Sequence, residues 1–254
     1  MRILLTNDDG VGSPLLAELA TALDALGSVD VIAPALDMTG VSRSLSLAGP
    51  IAVDELELPD GRPALAVGGT PADCVRFAAL GLAGEPPDVV VSGPNLGINL
   101  GDDVAYSGTV AAALEGALLG LPAVALSQQI APDGSYAAAE LCRFAVQLVP
   151  LLGSGALPPG VVINVNAPAG AVAGVRIAPL GRRRYRTELR PAGEAEGGRR
   201  HYHLYGTGTM RLEGEPGTDI AAVAEGFISL TPLRFDLFAE DALAPLTALV
   251  PEWA

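Results

Sequence analysis

The stretch MRILLTNDDGVGSPLLAELATALDALGSVDVIA, residues 1–33, decides the fold class. Arg2 to Thr6 is a short apolar run without polar alternation, as expected of a strand buried on both faces of a parallel sheet. It ends at Asn7-Asp8-Asp9-Gly10. Ser13 and Pro14 then offer an N-cap and an N1 proline, and Leu15, Leu19, Leu23 and Leu26 recur at helical spacing until Gly27 stops the helix. Val29 to Ala33 reads as the next strand. The three elements close a βαβ unit, whose crossover is expected to be right-handed.

The same alternation continues outward. Thr70-Pro71 opens a helix, Asp88 to Ser92 is a third buried strand, and helix 109–120, strand 122–127, helix 135–152 and strand 161–165 follow. This order predicts a doubly wound α/β sheet. The pattern breaks between about 181 and 217, a span that opens GRRRYRTELRPAGEAEGGRRHYHLYGTG and holds eight of the fifteen arginines and both histidines. That segment reads as a hairpin excursion, either a solvated arm or a strand pair packed on a partner subunit. Thr218 to Gly226 then reads as a helix and Phe227 to Leu230 as a returning strand. No repeat or low-complexity linker divides residues 1–254, which we take as a single α/β domain carrying that excursion.

Composition removes whole chemistries. The 254 residues are 50% hydrophobic and 17% charged, with 15 basic against 29 acidic side chains and a formal net charge of −14. Every basic residue is arginine; the chain contains no lysine. A P-loop lysine, a Schiff base and a lysine general base are therefore excluded. An acidic chain without lysine also lacks the basic stripe that releases counterions from DNA or RNA, so polymeric nucleic acid is not an expected partner. Cys74 and Cys142 stand far apart, outside any CxxC spacing, and read as small core residues rather than as a zinc site or a disulfide. The apolar start is too short for a signal peptide, and the longest apolar run, Val110 to Leu126, is broken by Glu115 and Pro122. A cytoplasmic protein without a membrane partner is expected.

In an open parallel sheet, ligands bind outside the carboxyl ends of the strands. After the first strand the sequence places Asn7, Asp8, Asp9 and Gly10. Adjacent carboxylates converge only if the strand has already turned, which Gly10 and Gly12 permit. With no histidine or thiolate beside them, such a pair suits a hard cation such as Mg²⁺, Mn²⁺ or Ca²⁺, or else is a solvated turn. The second loop, PALDMTGVSRS, offers hydroxyls and backbone N–H groups around Thr39 and Gly40 for oxyanions. The third, SGPNLGINLGDDVAYSGT (92–109), is glycine-rich and ends in Ser107, Gly108 and Thr109 at a helix start, where free N–H groups and the helix dipole suit a phosphate. Its bland alternative is a capped helix with Asp102 and Asp103 solvated. Thr70 and Asp73 are explained as a capping box. His201 and His203, at i, i+2 spacing, read as arm surface or interface rather than as ligands or acids, and no GxSxG elbow exists for serine hydrolysis.

Taken together, NDDG (7–10), the Thr39-Gly40 loop, GTPADCV (69–75), SGPNLGINLGDDVAYSGTVAAALEG (92–116), NVNAP (164–168) and GTD (217–219) resemble the SurE family of survival-protein nucleotidases. The resemblance runs in order over nearly the whole chain. It implies a Rossmann-like, doubly wound, mostly parallel sheet with a protruding β-hairpin arm and a C-terminal segment used in oligomerisation, in a homodimer or homotetramer. It implies a metal-dependent phosphomonoesterase, a 5′-nucleotidase acting on nucleoside 5′- and 3′-monophosphates, with one divalent cation per subunit, Mg²⁺ or Mn²⁺. The family's metal ligands fall on Asp8, Asp9, Thr39 and Asn95, its phosphate contacts on Asn7, Gly40, Ser107, Gly108 and Thr109, and catalysis on Asp8, Asp9 and Asn95. Where the family usually has serine, this chain has Thr39, which keeps the hydroxyl but adds a methyl group and a stiffer χ1. The contrasting reading is a catalytically inactive nucleotide or metal sensor. A receiver-type signalling domain would need a lysine, and a haloacid-dehalogenase-type phosphatase would want DxD after the first strand.

Overall fold

The computed structural model describes residues 1–136, 138–182, 187–194, 199–205 and 214–249. Six parallel strands form the middle of a nine-stranded sheet: β1 (Arg2–Thr6), β2 (Ser28–Pro34), β4 (Pro63–Val67), β5 (Val89–Leu96), β6 (Ala123–Gln128) and β7 (Val161–Ala167), in the order β4-β2-β1-β5-β6-β7. At one edge β3 (Val53–Glu57) runs antiparallel to β4. At the other, β11 (Phe227–Arg234) runs antiparallel to β7 and carries β8 (Gly174–Ile177) beside it. The sheet is Rossmann-like and mostly parallel.

Alternation along each strand sends neighbouring side chains to opposite faces. Ile3 and Leu5 of β1 join Val89 and Val91 of β5 and Val124 and Leu126 of β6 under α1 (Pro14–Leu23) and α4 (Ala139–Leu152). Leu4, Val90 and Ala125 point the other way, under α2 (Pro71–Ala79) and α3 (Gly108–Leu118). This two-sided burial is why the strands read as unbroken apolar runs. Both cysteines are buried free thiols in these layers, and burial pushes each up to about 12.

Several expectations shift in detail. Ser13 occupies the N-cap of α1 but its hydroxyl makes no capping bond, and the helix ends at Leu23, before Gly27. Gly27 is nonetheless required: at φ +151° a Cβ there would stand 2.0 Å from the Met1 carbonyl oxygen. The α4 helix starts at Ala139 rather than 135, and the returning strand extends to Arg234. The capping box of α2 forms as expected, with Asp73 Oδ2 accepting the Thr70 N–H at 2.8 Å and Thr70 Oγ1 accepting the Asp73 N–H at 3.2 Å.

The excursion contains a separate two-stranded antiparallel sheet of β9 (Thr187–Glu194) and β10 (Arg200–Tyr205). Residues 183–186, 195–198 and 206–213 of the excursion lie outside the described residues. After α5 (Asp219–Ala224) and β11, the C-terminal α6 (Leu243–Leu249) buries none of its residues. Leu237, Phe238, Leu243, Leu246 and Leu249 leave an exposed apolar row there. Among the described residues no helix is long and apolar enough to cross a membrane.

Candidate active site

The strand order contains one reversal that matters. From β1 the chain winds outward to β2 and β4, then returns to the other side of β1 to lay down β5. The carboxyl ends of β1 and β5 therefore flank a topological switch point, where open α/β sheets form their ligand crevice. Four segments meet there by direct hydrogen bonds. The Asp8 carbonyl accepts the Met38 N–H at 2.7 Å, tying the loop after β2 to the end of β1. Asp9 Oδ2 accepts the Leu96 N–H at 2.9 Å, tying in the end of β5. Asp8 Oδ1 accepts the Thr109 hydroxyl at 2.5 Å, tying in the first turn of α3. Ser42 donates its N–H to the Tyr106 carbonyl and its hydroxyl to that of Ala105.

The adjacent aspartates thus diverge, one to α3 and one to β5, as the turn after β1 allows. Asp8 is 3% exposed and Asp9 half-buried. Burial pushes the Asp8 carboxyl up to about 6; the Thr109 hydroxyl opposes this and the neighbouring Asp9 charge adds to it. Burial also raises Asp9, against the Leu96 N–H and with the charge of Asp37. Among the described residues neither carboxylate meets an arginine. Two desolvated, like-charged carboxylates without a counter-charge, beside amide and hydroxyl oxygens, are a donor set that fits a hard divalent cation. Gly108 gives this pocket its tight wall: a Cβ at that position would stand 2.7 Å from Asp8 Cβ and 2.8 Å from Asp8 Oδ2.

The other expected residues lie on the segments that these bonds tie together, with differing commitments. Asn95, at the end of β5, donates its amide to the Gly97 carbonyl at 3.0 Å, which leaves Oδ1 for a further partner. Asn7 is fully buried; its amide nitrogen is used on the Gly10 carbonyl at 2.9 Å, while Oδ1 is buried without a partner. An orphaned acceptor is costly unless a cation or water meets it. The Thr39 N–H and hydroxyl both donate to Asp37 Oδ1, at 2.7 and 2.6 Å, and these bonds hold Asp37 below the usual carboxylate range. Thr39 and Gly40 are exposed at the crevice rim. At the α3 N-terminus, Ser107 Oγ accepts the Val110 N–H, and the Ser107 N–H goes to the Asp103 carbonyl. The helix end is consequently less open than its glycine-rich sequence suggests.

Sequence reasoning missed the scaffold beneath these loops. The Asn99 carbonyl accepts the amides of Asn164 and Asn166 from β7, its N–H donates to Asn166 Oδ1, and its amide donates to Ser127 Oγ of β6. Asp219 at the start of α5 is fully buried, and its carboxylate accepts N–H groups from Gly101 at 2.9 Å, Gly181 at 2.7 Å and Ile220 at 2.8 Å. The signal was present in polar residues set within buried runs, asparagines in β7 and an aspartate heading an apolar helix. His201 and His203 lie exposed on β10, in the hairpin sheet rather than among the loops of the crevice. Asp102 pairs with Arg182 at 3.2 Å.

Comparison with known proteins places the chain in a family and matches its fold. Residues 3–187 match the family model described as Survival protein SurE. The chain is 45% identical over 240 residues to a protein of Chloroflexus aggregans named 5'-nucleotidase SurE, covering 93% of this chain and 94% of the relative. It is 40% identical to 5'-nucleotidase SurE 1 of Thermus thermophilus, over 98% of each. The crystal structure of the SurE protein from Aquifex aeolicus superposes with a TM-score of 0.79 at 32% identity, covering 98% of this chain and 99% of that one.

Proposed function

The chain belongs to the SurE family, and from that membership we propose that it is a nucleotide phosphomonoesterase, hydrolysing nucleoside 5′- and 3′-monophosphates to nucleoside and phosphate. One observation carries the assignment of chemistry to place. At the switch point of the sheet, a buried carboxylate without a counter-charge, Asp8, is hydrogen-bonded to the first turn of a helix.

Asp8, Asp9, Asn95 and Thr39 would hold one divalent cation, Mg²⁺ or Mn²⁺, which when bound neutralises phosphoryl charge and lowers the pKa of water. The rest falls to the chain's own groups. Asp8 Oδ1 orients the Thr109 hydroxyl, and Gly108, lacking a side chain, lets the Asp8 carboxylate lie against the α3 N-terminus, whose dipole favours negative charge. The Gly108 N–H and the Ser107 and Thr109 side chains line the phosphoryl end, with Asn7 and Gly40 at its margins. Asp8 Oδ2 and Asp9 Oδ1 are the carboxylate oxygens not engaged by Thr109 or Leu96, and so are placed to receive a proton from attacking water. For Thr39 to join the site, its hydroxyl would leave Asp37 Oδ1 for the cation.

Residues 1–254 act as one domain, with the 181–217 excursion and the apolar C-terminal row serving as contacts between subunits of a homodimer or homotetramer. A cytoplasmic location accords with free, buried thiols. The inactive-sensor reading has no observation in its favour, since both carboxylates and Asn95 are in place. Phosphate release from a panel of nucleoside 5′- and 3′-monophosphates, set against a generic aryl phosphate, tests the proposal. Faster release from nucleotides supports it; folded protein that releases phosphate from none of them overturns it.

A further inference from the structure

Glu115 is fully buried in α3, roughly two turns along the helix from Ser107. An acidic side chain at such a depth demands a counter-charge, and it has two. Arg76 of α2 places a guanidinium nitrogen 2.6 Å from Oε1, and Arg43 places Nε 3.4 Å from Oε2. Both contacts are ion pairs rather than aligned hydrogen bonds. The partners differ in what they are attached to. Arg76 stands on a helix that the sheet already holds, whereas Arg43 belongs to the loop after β2, close behind Thr39 and Gly40. The Arg43 guanidinium also lies against the Phe235 ring, 3.9 Å from its centroid.

Hydrogen bonds tie Met38 to Asp8 and Ser42 to Ala105 and Tyr106, at the two ends of the turn that Arg43 follows. Thr39 and Gly40 are exposed, Gly40 takes φ +77°, and Ser42 takes φ +54°, a left-handed conformation unusual for a side chain other than glycine. We propose that Arg43, anchored on the buried Glu115 and lying against Phe235, is a positioning residue that holds the Met38–Ser42 segment over the Asp8–Asp9 crevice in the geometry that receives the cation and the phosphoryl group. This rests on the phosphomonoesterase reading for its effect on turnover, but the holding of the loop is measurable without it. Arg43 touches no reacting atom; it acts through the backbone that it fixes.

The test uses Arg43→Met, which leaves the Glu115–Arg76 pair intact so that no buried charge is orphaned. Arg76→Met is the matched control: it removes an equal charge from the same carboxylate but holds no residue of the loop. In metal-free protein, Arg43→Met is expected to speed amide exchange at Met38, Thr39, Val41 and Ser42 by roughly tenfold or more while leaving the α3 amides unchanged, and Arg76→Met is expected not to. In turnover, Arg43→Met raises the KM for an aryl phosphate and the Mn²⁺ concentration for half-activation by about threefold or more, with kcat nearly unchanged, and Arg43→Lys recovers part of the loss. Loop exchange that stays at the wild-type rate in Arg43→Met, or that rises equally in Arg76→Met, overturns the proposal. Wild-type protein that releases no phosphate refutes the enzymatic reading instead, and the exchange comparison still decides the role of Arg43.

Discussion

Asp8 and Thr109 are joined by a 2.5 Å hydrogen bond that spans 101 residues of chain and clamps the end of β1 to the first turn of α3. The clamp sets both the direction of the carboxylate and the approach of the helix terminus. Thr109→Val keeps the shape and removes the donor. A hydrogen bond to a charged group contributes about 1.5–3 kcal/mol, so kcat/KM is expected to fall roughly 10- to 100-fold, as steady-state phosphate release would show.

Burial of Asp8 carries a cost that the metal-free protein exposes. Its carboxyl is raised to about 6 in the folded chain against 3.8 in the ordinary state, so the native protein holds the proton more tightly than the unfolded one. Stability of metal-free protein should therefore fall as pH rises between those values and level off above them. Asp8→Asn removes the charge: in EDTA at pH 7 it should raise the melting temperature, by up to about 3 kcal/mol of stability, and lose this advantage below the ordinary carboxyl range. The same variant should have no turnover. Thermal unfolding across pH, with and without the substitution, reads the sign directly.

Gly108 is required by contact rather than by its φ. A methyl group there would meet Asp8 Cβ at 2.7 Å, so the β1 end and the α3 start must shift apart to admit it. Gly108→Ala is expected to lower stability by about 1–3 kcal/mol and to reduce kcat/KM more than Thr109→Val does, because it moves both sides of the clamp.

Asp219 supports the crevice from below by accepting three backbone N–H groups in full burial. Asp219→Ala strands those donors and should cost at least about 3 kcal/mol, measured by urea unfolding. Its effect on activity should be carried by the loss of folded protein and by a displaced 97–101 loop. Asp219→Asn, which keeps acceptor oxygen, should recover part of the stability.

The parallel core was legible because each strand is buried on both faces and each helix is bounded by Pro, Gly or a capping pair. Thr70 with Asp73 is the plainest instance. The Asp8–Asp9 pair stood out because polar residues follow directly on an apolar strand. The β3–β4 hairpin was not expected, although Pro59-Asp60-Gly61 makes its turn, because Asp54, Glu55 and Glu57 break the apolar run on an edge strand open to solvent. Nor could spacing reveal that Asn164 and Asn166 reach Asn99, since that network forms only once β5, β6 and β7 are side by side. The same holds for Glu115: it reads as a mere interruption of an apolar helix until Arg43 and Arg76 are brought to it.

On the proposed function, Asp8 and Asp9 would make a divalent cation part of the phosphomonoesterase. Phosphate release from a nucleoside 5′-monophosphate, measured on wild type and Asp8→Asn with EDTA and then with Mg²⁺ or Mn²⁺ restored, tests it most directly. In wild type, release that EDTA abolishes and the cation restores is expected, and in the folded variant none under any condition. Release that survives EDTA, or that Asp8→Asn retains, would contradict it.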